Sequence, residues 1–337
     1  MTNTTSDHNS ATILIAGAGQ LGSRYLQGLA KCQNTLDIYV QDISELSLQL
    51  SRQRWDEVYR PASDFHGELT KHAIQHKVTF ISSFEKIPKK INIAIVATNA
   101  DVRPQVVKKI EANFEVCYWI LEKVLAQSVT MLSEILALTQ NSSGAWTNIP
   151  RRMMAWHKQI RERLRSESTL KITGSGSLWG LACNGIHYLD LVSWWTDEKL
   201  RKIDTSKLDS KWIESKRKGF YEITGKITAS YSGGTRIDLE SRLGSSPFKM
   251  KVEGQNSVWE IDEIKGVAVG SDGIIITGNN EMQSSMTSKL VDDILAGKNC
   301  ELPKLSDSVE MHRIFLRSLL EHWNNVNSRN DDTLPIT

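Results

Sequence analysis

The segment Ile13-Leu14-Ile15-Ala16-Gly17-Ala18-Gly19-Gln20-Leu21-Gly22 constrains this chain more than any other. A short apolar run ends in G-x-G-x-x-G and passes directly into a helical pattern. That is the order of a strand, a tight turn and a helix whose N-terminal amides face an anion. Gly17 permits the turn, Gly19 lets the backbone approach a diphosphate, and Gly22 lets the helix pack against the strand. Gln20 and Leu21 stand between them at the helix start. The next strand-like run, Leu36-Asp37-Ile38-Tyr39-Val40-Gln41, ends at Asp42, 20 residues after Gly22. A carboxylate there can accept hydrogen bonds from an adenosine ribose, so the motif points to a bound dinucleotide. Asp42 would repel a 2′-phosphate, and no arginine follows in Ile43-Ser44-Glu45, which favours NAD over NADP.

The chain continues as an alternation of strand-like and helix-like segments. Glu45–Trp55 is an expected helix with Leu46, Leu50 and Arg54 on one face; Val78–Ile81 and Ile91–Thr98 are expected strands. Val102–Ile110 reads as helix and Glu115–Leu121 as another strand. This predicts an α/β fold opening with a doubly wound parallel sheet, a Rossmann domain over residues 1–125. Ligands of such sheets sit beyond the carboxyl ends of the strands. The glycine turn, Asp42, Thr98, Asn99, Glu122 and Lys123 should therefore face one crevice.

The texture changes near residue 150. Pro150–Arg165 and Asn184–Trp195 read as helices and Leu170–Leu178 as a strand. Beyond residue 220, short alternating segments separated by Ser232-Gly233-Gly234 and Ser271-Asp272-Gly273 predict an open, mainly antiparallel sheet. Residues 126–323 are expected to form an α+β domain for substrate binding and oligomerisation. Its last helix, with the stripe Leu316, Leu319, Leu320 and Trp323, could pack back on the first domain, leaving 324–337 as a frayed tail.

At 337 residues, two domains are the natural expectation. A net charge of +2 gives no reason to expect nucleic acid or an anionic membrane as partner. The stretch Met1 to Ser10 is polar and lacks a signal core, and no run approaches the roughly 18 apolar residues of a membrane span. Cys32, Cys117, Cys183 and Cys300 are widely spaced with no C-x-x-C pair. The expectation is a cytoplasmic protein without disulfides or a metal site.

Lys123 directly follows a strand that should end at the nicotinamide, where an amine can exchange a proton with a hydroxyl while hydride moves. A second cluster is Cys183-Asn184-Gly185-Ile186-His187-Tyr188-Leu189-Asp190. On a helix His187 and Asp190 share a face, so Asp190 is a candidate to orient the imidazole. Asn148-Ile149-Pro150-Arg151-Arg152 enters a helix at the domain junction. The two arginines suit bidentate binding of phosphate or carboxylate, or else pair with acidic side chains. Trp146, Trp156 and Trp179 are candidates to stack on a sugar or base, or to pack.

Taken in order, the glycine loop, Ala97-Thr98-Asn99-Ala100-Asp101-Val102-Arg103, Glu122-Lys123, Asn148 to Arg152 and Gly185-Ile186-His187-x-x-Asp190 resemble the glucose-fructose oxidoreductase and inositol dehydrogenase family (Gfo/Idh/MocA) over nearly the whole chain. The resemblance implies NAD(P)-dependent oxidation or reduction of sugars, cyclitols and their derivatives, with Lys123 and His187 catalytic. It implies cofactor contacts from Gly17, Gly19, Gln20, Leu21, Gly22, Asp42, Thr98, Asn99, Glu122 and Lys123. Substrate contacts are expected from Asn148, Arg151, Arg152, Trp156, Asn184, His187 and Asp190. The expected substrate is a sugar or nucleotide sugar, anionic in character, such as a sugar acid on the way to a surface polysaccharide or nonulosonic acid. A homodimer or homotetramer is expected, and an apolar sheet face would favour it.

Two departures stand out. Family members usually have proline after the lysine, often with a cis bond; here Val124 predicts a trans bond, because a cis non-proline peptide costs about 2.5–4 kcal/mol. Many members also carry an acid four residues before the histidine, and here that position is Cys183, followed by Asn184. Reduction of a C=N or C=C bond, and a catalytically silent dinucleotide sensor, are the alternative readings.

Overall fold

The computed structural model describes residues 10–59 and 75–337, so residues 1–9 of the polar N-terminal stretch lie outside the described residues. Six strands form the first sheet: β1 (Ala11–Ala16), β2 (Leu36–Gln41), β3 (Lys77–Ile81), β4 (Lys90–Val96), β5 (Glu115–Glu122) and β6 (Gly144–Asn148). Their spatial order is β3-β2-β1-β4-β5-β6 and every pairing is parallel. The unbroken apolar runs arise because both faces are covered. Ile13, Ile15, Ile38, Val40, Ile93 and Ile95 pack on one side, while Leu14, Ala94, Val96 and Leu121 pack on the other. The order reverses between β1 and β4, which opens a crevice at their carboxyl ends. Because β6 joins this sheet, the parallel layer runs past the expected limit at residue 125.

Four helices flank the early part of this sheet: α1 (Gln20–Leu29), α2 (Glu45–Asp56), α3 (Arg103–Glu111) and α4 (Val129–Thr139). On α2 the inward face is Leu48, Ser51 and Trp55, whereas Leu46 and Leu50 are exposed, a correction to the expected stripe. A two-leucine spacing is compatible with either face, and the bulkier Trp55 has taken the core.

The second sheet is built from β7 (Lys171–Ser177), β8 (Leu200–Leu208), β11 (Gly225–Tyr231), β12 (Arg236–Arg242), β13 (Lys249–Glu253), β14 (Val258–Asp262), β15 (Val267–Gly270) and β16 (Ile275–Thr277). A separate hairpin joins β9 (Ile213–Glu214) to β10 (Tyr221–Glu222). The large sheet runs β16-β15-β14-β13-β7-β12-β11-β8 and is antiparallel except for β7 with β12. The helices of this half are α5 (Ala155–Leu164), α6 (Leu181–Thr196), α7 (Gln283–Leu295) and α8 (Leu305–Asn327). Ile227, Ala229, Ile237, Leu239, Met250 and Val252 point inward and are buried. The outward positions of β11, β12 and β13 are Lys226, Thr228, Arg236, Asp238, Lys249 and Lys251, so this part of the face is polar.

Two late segments return to the first domain. Gly28 of α1 lies so close to Thr287 of α7 that a Cβ would stand 2.6 Å from the threonine Cβ. Leu290, Val291 and Ile294 of α7 thereby complete the core over β1 and β2, although the sequence placed this helix in the second domain. The residues after α8 are docked, correcting the expected frayed tail. Leu334 and Ile336 are fully buried, each worth about 1.5–3 kcal/mol. The Leu334 amide donates to the Gln127 carbonyl (2.8 Å), Gln127 Nε2 donates to the Ile336 carbonyl (3.1 Å), and the Tyr221 amide donates to Pro335 (2.8 Å).

Candidate active site

The glycine turn has the form its sequence demands. Gly17 adopts φ +100°, and a Cβ on Gly22 would lie 1.8 Å from the Gly17 carbonyl oxygen, so helix and turn meet backbone to backbone. A Cβ on Gly19 would meet nothing within 4 Å. Gly19 is also the N-cap of α1, with no side chain capping the helix and no acidic residue in its first turn. The helix thus presents amides that no side chain caps to an open cradle, the geometry that accepts a diphosphate. Asp42, half-buried at the end of β2, takes the Ala18 amide on Oδ2 (2.7 Å) and the Ser44 amide on Oδ1 (2.8 Å). It fixes the turn and keeps acceptor capacity for a ribose hydroxyl.

Lys123 stands half-buried where β5 ends. The Lys123–Val124 peptide is cis, which corrects the trans expectation. What surrounds it is a fully buried arginine that the sequence did not single out. The Arg103 guanidinium donates to the carbonyls of Val124 and Thr98 and, at 3.0 Å, to Leu125. A charged donor thus holds the loop after β5. Thr98 is tied by its carbonyl to this arginine, and exposed Asn99 accepts from Arg217 Nη1 (3.2 Å).

Glu122, at the end of β5, is buried. Its Oε1 accepts from Tyr25 (2.5 Å) and Asn148 (2.6 Å), and Asn148 also donates to Gln283 (2.8 Å). Burial holds the Glu122 carboxyl above its usual range against these donors and Arg103. Glu122 and Asn148, both expected at a ligand, are thus engaged in a polar network joining α1, β5, β6 and α7. Trp156 is likewise core: the glycine surface at Gly278 packs on its ring.

Both junction arginines are already paired. Arg151 makes two 2.8 Å hydrogen bonds to Glu263, whose carboxyl is held far below the usual range chiefly by Arg151 against its burial. Arg152 grips Asp190 at 2.7 and 2.5 Å. Asp190 is 1% exposed and so is committed to this pair, which corrects its expected role on His187. Such bidentate, charge-assisted pairs are among the stronger hydrogen-bonded contacts.

The start of α6 is where the two domains meet. Lys123 Nζ donates to the Cys183 carbonyl (3.1 Å), to Cys183 Sγ (2.9 Å) and to Asn184 Oδ1 (3.1 Å). His187, one turn further along, is largely buried, and its Nδ1 has no partner among the described residues. Burial first, then the charges of Arg151 and Lys123, hold it well below the usual histidine range, so the imidazole is neutral at pH 7. A cleft of ≈ 440 Å³ opens here, bounded by Leu21 of the glycine turn, Lys123, Cys183 and Asn184, with Trp179 and Phe220 on its apolar side. Lys216, Arg217 and Glu222 of the β9–β10 hairpin close the remaining wall, and Thr337 lines the cleft too. Its carbonyl accepts from Cys183 Sγ (2.7 Å), and its Oγ1 accepts from the Ala100 amide (2.9 Å). Arg103, Glu222, the hairpin cations and Thr337 carried no local signal, since each reaches the site through tertiary contacts.

No protein-family model and no curated protein matches the sequence. Solved structures match it in shape. One is UDP-N-acetylglucosamine 3-dehydrogenase of Acidithiobacillus ferrooxidans (TM-score 0.67, 11% identity, covering 93% of this chain and 97% of that one). Another is scyllo-inositol dehydrogenase of Lactobacillus casei, crystallised with NAD(H) and scyllo-inositol (0.63, 13%, 93% and 96%). The transcriptional regulator Gal80p of Kluyveromyces lactis has the same shape (0.68, 13%, 94% and 91%). The fold shared with these structures is a Rossmann domain followed by an open, mainly antiparallel sheet.

Proposed function

We propose that this protein is an NAD(H)-dependent oxidoreductase acting on a hydroxyl or ketone carbon of a sugar derivative. The observation that carries the reading is the position of Lys123: its amine lies in a cleft bordered by the glycine turn of one domain and by α6 of the other. The open cradle at Gly19, the uncapped α1 N-terminus and Asp42 at the end of β2 fit a dinucleotide diphosphate and ribose. NAD(H) supplies the hydride exchange when bound. Lys123 holds and moves the proton of the reacting oxygen; neutral His187, to which the resemblance gives the second proton-handling role, lies buried one turn along α6 and is not among the residues lining the cleft. The dehydrogenases of like shape, one named for a nucleotide sugar and one bound to a cyclitol, support the substrate class.

If the substrate is anionic, Lys216 and Arg217 at the cleft wall are placed to meet its charge, because Arg151 and Arg152 are neutralised. Trp179 and Phe220 offer apolar surface beside them. The test is absorbance at 340 nm with NAD+ or NADH across a panel of sugars, cyclitols, sugar acids and nucleotide sugars. The proposal expects turnover that Lys123→Met abolishes without loss of NADH binding. One observation favours a second reading, that of a silent dinucleotide sensor: Cys183 stands where an acid is expected and is engaged by Thr337. NADH binding with no turnover anywhere on the panel would decide for it.

A further inference from the structure

Position 183 carries a thiol, yet a carboxyl from another part of the chain caps the backbone beside it. Gly180, the N-cap of α6, lies at φ 82° and ψ 64°, and no side chain of the helix caps its first amides. The cap comes from β10: Glu222 accepts the amides of Ala182 (2.9 Å) and Cys183 (3.1 Å). A Cβ on Gly180 would lie 3.2 Å from Glu222 Oε1. Glycine at this left-handed position lets the carboxyl seat closely. From the other side, Lys123 Nζ holds the carbonyl and sulfur of the same Cys183. Glu222 and Lys123 both line the cleft.

We propose that Glu222 is the proton acceptor that α6 itself lacks, working with Lys123 on the substrate oxygen; this rests on the oxidoreductase reading above. Oxidation of a secondary alcohol removes a hydride, taken up by NAD+, and one proton. Lys123 Nζ contacts Cys183 and Asn184 and not Glu222, so its ammonium passes a proton to the Glu222 carboxylate through a water in the cleft they share, and the amine so formed takes the proton of the hydroxyl. Substrate loses two electrons, NAD+ gains them, and Glu222 ends as the neutral acid.

The surroundings suit this task. Lys123 faces Glu222 from the end of β5, Cys183 from α6, and Glu214, Lys216 and Arg217 from the rest of the hairpin, with Tyr221 on its own strand. Burial is the largest influence and pushes the carboxyl up to about 7, while the two helix amides and Lys123 pull it down. Both protonation states are then populated near neutrality, as a group that takes and returns a proton requires.

The experiment combines a titration with kinetics. In protein labelled with 13C at glutamate Cδ, the resonance lost in Glu222→Gln should titrate near pH 7 in the wild type and at higher pH in Lys123→Met. With a substrate from the panel, the oxidation rate should rise through pH 7. Glu222→Gln, which can still accept an amide, should fold and bind NADH normally but lose about 10²-fold or more in kcat together with that pH limb. Glu222→Asp should keep the limb at reduced rate. A Glu222 resonance that titrates in the ordinary carboxylate range and ignores Lys123 overturns the proposal, as does a Glu222→Gln variant with unchanged kcat and pH profile. If the wild type turns over nothing on the panel, the oxidoreductase reading fails and the role of Glu222 fails with it.

Discussion

Lys123 and Cys183, one from each domain, are joined by two hydrogen bonds: Nζ donates to the cysteine carbonyl at 3.1 Å and to its sulfur at 2.9 Å. The amine is therefore anchored on the first turn of α6, and its third contact, to Asn184 Oδ1, keeps it in the cleft. Substrate has to draw a proton contact away from this anchor. Lys123→Met should leave NADH affinity within a factor of about two and reduce turnover at least 10²-fold, the usual scale of a lost acid–base group. Fluorescence titration with NADH and initial rates separate the two effects.

Asp42 ties the glycine turn to β2 and is the only acidic group placed for an adenosine ribose among Gly17–Gly22 and the segment Asp42-Ile43-Ser44. Asp42→Ala should weaken NADH binding about 10-fold or more, because a charged acceptor bond is worth about 1.5–3 kcal/mol. The loss for NADPH should be smaller, since the repulsion of a 2′-phosphate is removed as well. Calorimetric titration with both nucleotides measures the difference.

Arg152 and Asp190 form a largely buried pair, and the sequence left open whether the arginine binds a ligand. Arg152→Ala strands a buried carboxylate and should cost about 3–5 kcal/mol of stability, with KM unchanged in the folded fraction. Replacing both residues, as Arg152→Met with Asp190→Leu, should recover most of the loss. Urea unfolding of the single and double variants reads both effects.

Glu222 also links stability to pH. Its carboxyl is raised to about 7 in the folded protein, so folding binds a proton between the unfolded value, about 4.3, and 7. The stabilisation is complete below the unfolded value and is lost as pH rises through the folded one. Relative to wild type, Glu222→Gln should therefore gain in Tm at pH 8.5, and the gain should shrink toward pH 4.5. A difference in Tm that does not vary with pH would contradict the linkage.

The tail after α8 is a structural element. Leu334→Ala and Ile336→Ala should each cost about 2–5 kcal/mol, as truncations of fully buried side chains do. Because Thr337 contacts Cys183 and Ala100, both should also raise KM, and a thermal melt with steady-state kinetics checks the pair of effects.

What could be read from the sequence was what local pattern encodes. The glycine turn, Asp42 and Lys123 each follow a recognisable strand, and the parallel sheet places the ends of its strands together whatever their spacing in the chain. The antiparallel character of the second sheet was likewise legible in the alternation of segments such as Arg236–Arg242. Pairing choices were not. Nothing local distinguishes an arginine that waits for phosphate from Arg152, which meets Asp190 38 residues away. Arg103 sits in the quoted motif after β4, yet its hold on the Val124 carbonyl depends on a loop 21 residues later. Polar Asn324–Thr337 suggested fraying because its few apolar residues show no periodicity, and the pocket that buries Leu334 and Ile336 is made by distant elements.

A crystal structure with NADH and a sugar that the protein turns over would examine the site itself. The expected arrangement has the substrate oxygen within about 3 Å of Lys123 Nζ. Its carbon should lie about 3–3.5 Å from nicotinamide C4. A nicotinamide ring seated away from Lys123, with the amine still bound to Cys183 and Asn184 and the substrate oxygen beyond the reach of one water, would contradict it.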